Sequence, residues 1–81
     1  MSPRAIQDID GYQFFFFSKE NDEPPHIHVE NGNGSAIWWL TPEPRLVYSL
    51  GLKAGEERKI EHLVKTHQHE LLQAWQRHFG R

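Results

Sequence analysis

Three consecutive stretches decide the fold: His26-Ile27-His28-Val29-Glu30, then Asn31-Gly32-Asn33-Gly34, then Ser35-Ala36-Ile37-Trp38-Trp39-Leu40. The first alternates strictly, so Ile27 and Val29 point to one side of a strand and His26, His28 and Glu30 to the other. The repeated Asn-Gly pair is the strongest hairpin signal in the chain. An even-length turn there carries the alternation across. Ile37 and Trp39 then join the histidine face, and Ala36, Trp38 and Leu40 join Ile27 and Val29; a three-residue bulged loop would reverse this assignment. A hairpin with one aliphatic face needs a second layer against that face.

Working outward, Tyr12 to Ser18 is a strand of consecutive aromatic residues, entered through the Asp10-Gly11 turn. Residues 1–10 form an arm or a short strand seated by Ile6 and Ile9. Lys19 to Pro25 is an acidic loop, and Pro25, which lacks a ladder donor, bounds the next strand. After the hairpin, Thr41-Pro42-Glu43-Pro44 is a rigid break, and Arg45 to Leu50 is a final short strand closed by Gly51. Residues 54–79 read as one helix, with Ile60, Leu63, Val64, His67, Leu71, Ala74, Trp75 and His78 on a common face. Glu56 and Glu57 at its start and Arg77 and Arg81 at its end suit the helix dipole, and Gly80 suits a C-terminal cap. Lys53 stands at the N-cap without the hydroxyl of a capping box, so the start is expected to fray more than the end. A helix of 26 residues is about 39 Å long, enough to overhang a small sheet.

These elements give one α+β domain over residues 1–81: an arm (1–10), a three- to four-stranded, mainly antiparallel sheet (11–51), and one long C-terminal helix (54–79) packed on one face. Mean hydropathy is −0.73, but 12% of the residues are aromatic, which argues against disorder and for a core built on a few large rings. With no cysteine, thiolate chemistry and disulfides are excluded, and the composition suits a reducing cytoplasm. No apolar run approaches the roughly 18 residues of a membrane span, and no signal-peptide pattern is present. A formal charge of −2 argues against nucleic acid as the sole ligand.

One helix covers only one face of a sheet. The opposite face, with His26, His28, Ile37 and Trp39 and two or three phenylalanines, is therefore expected to be a binding surface for a protein partner or a second copy. The His26-Ile27-His28 pair is the sharpest chemical feature, since alternate strand residues aim two imidazoles at one point. Two ligands do not make a metal site, and no metal or other cofactor is expected; a bound ion would need Glu30, Asp22 or Glu23 to complete the set. Acid–base chemistry by the two histidines, with Arg4 or Arg45 on a phosphate, is the enzymatic alternative, and it lacks the basic groove that a nuclease requires. His67 on the apolar stripe reads as a packed histidine bonded to a carbonyl or an acid.

Taken together, Ile9-Asp10-Gly11-Tyr12-Gln13-Phe14, Phe17-Ser18, Glu23-Pro24-Pro25-His26-Ile27-His28-Val29 and Glu70-Leu71-Leu72-Gln73-Ala74-Trp75 resemble domain-of-unknown-function family 4160 (DUF4160), a group of small prokaryotic proteins. The Pro-Pro-His-Ile-His-Val segment is the most specific part of the match. The resemblance implies a compact α+β domain and a role for His26 and His28 as signature positions. It further implies a frequent genomic pairing with another small protein in a toxin–antitoxin-like arrangement. The expected function is therefore a cytoplasmic protein-binding module. The alternative is a small enzyme or metal-binding protein centred on the His-x-His strand.

Overall fold

The computed structural model describes residues 4–17 and 22–80. The expected strand end at Ser18, the Lys19 start of the acidic loop, the first three residues of the arm and Arg81 lie outside the described residues. Four strands follow one another in the sheet as they do in the chain: β1 (Gln13–Phe15), β2 (His26–Glu30), β3 (Ser35–Trp39) and β4 (Arg45–Leu50). Every neighbouring pair is antiparallel.

The Asp10-Gly11 turn has positive φ at both residues (52° and 85°), as a tight turn suited to strand twist requires. It folds residues 4–9 back along β1, where Arg4 bridges to Phe15 and the Ala5 N–H donates to the Phe14 carbonyl at 2.8 Å. The arm thus runs beside the first strand, and Ala5, Ile6 and Ile9 pack on the core. β1 is shorter than its aromatic run suggests. Beyond Phe15 the chain leaves the ladder, and the Phe16 ring turns to meet Trp75 edge-on at 5.4 Å.

The Asn31–Gly34 turn is held by its first residue, whose side-chain oxygen accepts the N–H groups of Asn33 and Gly34 at 2.8 and 3.0 Å. It is an even-length loop, and Glu30 stands opposite Ser35. The turn also docks. A Cβ on Gly34 would lie 2.2 Å from the Leu50 carbonyl oxygen, so only glycine lets the hairpin tip reach the end of β4.

The C-terminal segment is two helices, α1 (Ala54–Thr66) and α2 (Gln68–Phe79), rather than the single helix that the periodicity predicts. The hitch is at His67 (φ −105°, ψ 17°). Backbone bonding passes through it, from the His67 N–H to Leu63 and from the Leu71 N–H to His67, each at 2.9 Å. Two side-chain bonds explain its place. The His67 ring meets Glu70 at 2.7 Å, and the Gln68 amide donates to the Leu40 carbonyl at 2.7 Å, at the end of β3. Neither a proline nor a glycine marks the site, and the second bond is tertiary, so periodicity alone misses it.

Both helices cover the side of the sheet that carries Phe14, Ile27, Val29, Ala36 and Trp38. With Phe16 and Leu40 these residues form one core against Ile60, Leu63, Val64, Leu71, Ala74 and Trp75. Burial of each such aliphatic or aromatic side chain stabilises the domain by about 1.5–3 kcal/mol before entropy is counted. The start of α1, expected to fray, is tied to the hairpin by Glu56. Its carboxylate accepts the Lys53 N–H at 2.9 Å and the side-chain amides of Asn31 and Asn33 at 2.7 and 2.8 Å.

Candidate functional site: the sheet face opposite the helices

The strand register places the candidate residues. His26 lies opposite Trp39 and His28 opposite Ile37, so all four share the face turned away from the helices. Phe15 pairs with His28 from one side, and Tyr48 with Ile37 from the other. The β3–β4 register shifts between Ile37 and Trp38, leaving Val47 as an extra residue in β4. The face is therefore a band of rings and aliphatic chains crossing all four strands.

The two imidazoles are not open to solvent. The alternation gives their face but not their cover, and they are only 3% and 8% exposed. His28 stacks on Phe15 with ring centres 5.6 Å apart and meets Phe17 edge-on at 4.3 Å. His26 lies 5.4 Å from His28, 5.6 Å from Trp39 and 5.2 Å from Trp75 of α2. The last contact forms at the end of β2 beyond the β1 ladder, which stops at the Phe15–His28 pair. The His26 Nδ1 bonds to the Pro24 carbonyl at 2.9 Å, which fixes the ring, and its Nε2 faces the Glu23 carboxylate at 3.7 Å. The exposed part of the face lies elsewhere, in Phe17 (43%), Tyr48 (48%) and Leu50 (61%), with Ile37 and Trp39 half-buried between them.

This arrangement bears on the metal and acid–base alternatives. Among the described residues, no three histidine or carboxylate side chains converge as a metal would need. Glu30 ends β2 at the far side of His28, and of the two loop acids it is Glu23 that approaches His26. Two shallow depressions flank the face. One, of about 330 Å³, is lined by Arg4, Gln13, Phe15, Phe17 and Glu30. The other, of about 340 Å³, is lined by Pro24, Trp39, Thr41, Pro42, Glu43 and Arg45. Neither has an imidazole in its wall. The two arginines considered for a phosphate are ion-paired within the chain, Arg4 with Asp8 and Arg45 with Glu43.

Sequence reasoning singled out neither Tyr48 nor Leu50 as part of this face, although the Arg45–Leu50 segment, with Leu46, Tyr48 and Leu50 in alternation and a single charge, carries the signal. Among the described residues no helix is long and apolar enough to cross a membrane. No curated protein and no solved structure matches the chain. A family model described as "Domain of unknown function (DUF4160)" matches residues 11–76, from the turn before β1 into the last turns of α2, and the chain belongs to that family.

Proposed function

We propose that the chain is a binding module that docks another protein on the sheet face opposite α1 and α2. The setting proposed for it is a cytoplasmic pair of small proteins of the toxin–antitoxin-like kind. The observation that carries the reading is the apolar character of a face that, among the described residues, no helix covers. Phe17, Tyr48 and Leu50 stand exposed around the half-buried Ile37 and Trp39, and the two histidines on this face are themselves buried among rings. Aromatic anchors of this kind dominate protein–protein binding energy when a partner desolvates them.

The test is photocrosslinking in cells that produce the protein naturally. A photoreactive aromatic residue replaces Trp39 in one variant and the exposed His62 of α1 in another. The reading expects one defined protein adduct from position 39 and none of that mass from position 62. With the partner in hand, Trp39→Ala weakens binding by about 2 kcal/mol, some thirtyfold. No adduct from position 39, or the same adduct from both positions, overturns the reading.

A further inference from the structure

We infer that β4 pairs edge to edge with β4 of a second copy, joining two four-stranded sheets into one across a two-fold axis. This concerns the sheet's edge, not its face, and does not rest on the partner proposed above.

The two edges of the sheet differ in how they are protected. A strand at the edge of a sheet presents a row of unpaired N–H and C=O groups, which only another extended chain satisfies along its length. Proteins protect such edges by shortness, by charge or proline, or by a cover. β1 is protected: it has three residues, and the Arg4 bridge and the Ala5–Phe14 hydrogen bond lay the arm along it. β4 is the longest strand, with six residues, and among the described residues no strand pairs with its outer side. It contains no proline, and its one charge, Arg45, is at its end. Leu46, Val47, Tyr48 and Leu50 are each 45–61% exposed. Among the described residues the bulge at Val47 is the one protective device on this edge, and it leaves Tyr48–Leu50 regular.

The choice of occupant follows from closure. An edge of one copy could meet either edge of the next. Joining β4 to β1 head to tail is blocked by the arm, and that is the contact that would propagate into a fibre. β4 on β4 is self-complementary and stops at two copies. An antiparallel two-fold also keeps the charges apart. The two Arg45 residues fall at opposite ends of the ladder, about 17 Å apart along a six-residue strand, and each is already matched by its own Glu43 at 3.6 Å. The opposed segments are otherwise uncharged. So short a ladder belongs with small interfaces, and its dissociation constant falls roughly between micromolar and sub-millimolar.

Sedimentation equilibrium of the full chain from about 10 µM to 1 mM covers that range. The expected result is a reversible monomer–dimer equilibrium that Val47→Lys and, separately, Leu50→Lys each weaken by about tenfold or more, by placing like charges across the axis. Far-UV circular dichroism confirms that each variant is folded. Amide exchange gives a second readout: backbone N–H groups within Arg45–Leu50 gain protection as concentration rises. A monomer throughout the range overturns the inference. So does a dimer that both lysine variants leave intact, or one that Trp39→Ala dissolves without any change in β4 exchange, which would place self-association on the face.

Discussion

Replacing Trp75 with alanine tests how the helices are phased against the sheet. Trp75 is 1% exposed and is the largest fully buried side chain. Its ring meets Phe16 edge-on at 5.4 Å, Phe79 at 4.2 Å and His26 at 5.2 Å, so it joins α2 to β2 and to the chain just beyond β1. Truncation of a buried tryptophan removes its transfer free energy and leaves a cavity, together about 3–5 kcal/mol. At about 0.05–0.15 kcal/mol per residue, a domain of this size has about 4–12 kcal/mol in total. The variant therefore loses between a quarter and all of its stability. With an unfolding entropy near 2.1 cal/mol/K per residue, the melting temperature falls by roughly 20–30 °C. Urea titration read by far-UV circular dichroism measures the loss, and a slope unchanged from wild type shows that the midpoint shift reports stability. Trp75→Phe, which keeps a ring beside Phe16, should recover more than half of it. A Trp75→Ala protein with an unchanged midpoint refutes the packing described here.

Two further expectations concern the hairpin turn, which meets the start of α1 through Glu56 and the end of β4 through Gly34. The Lys53 N–H, followed by the Asn33 and Asn31 amides, holds the Glu56 carboxyl below its ordinary value of 4.5. Its stabilising contribution is thus complete above about pH 4.5 and is lost as pH falls through the lower folded value. The stability gap between wild type and Glu56→Gln should be full at neutral pH and narrow in acid, and a gap independent of pH contradicts the assignment. Gly34→Ala drives a Cβ into the Leu50 carbonyl and should cost about 1–3 kcal/mol or more. Gly32→Ala has no atom within 4 Å of its Cβ and should stay within about 1 kcal/mol of wild type; equal losses in thermal melts count against the docked turn.

The sheet is legible in the sequence because its signals are local. Ile27 and Val29 set one face by alternation, and the Asn-Gly repeat sets an even loop, so the face of Ile37 and Trp39 follows by counting. The antiparallel α+β architecture follows from the same residues. What is missed depends on distant contacts. The hitch at His67 is anchored through Gln68 to a carbonyl in another layer. The start of α1 is secured by two asparagines of the hairpin, which a search for a hydroxyl cap overlooks. The burial of His26 and His28 comes from Trp75 and Phe17, and periodicity says which way a side chain points, not what lies over it. The exposure of β4 follows from its place as the last strand of the sheet, which depends on strand order.

The sheet turns one face to the core and, among the described residues, has no helix over the other, and two neighbouring tryptophans divide between them. Trp38 pairs with Ile27 on the helix side and is 6% exposed, whereas Trp39 pairs with His26 on the other side and is half-buried. Thermal unfolding of Trp38→Ala and Trp39→Ala, measured side by side, decides between the two faces. The expected loss is about 3–5 kcal/mol for Trp38→Ala and about 1 kcal/mol for Trp39→Ala. Equal losses, or a greater loss from Trp39→Ala, contradict it.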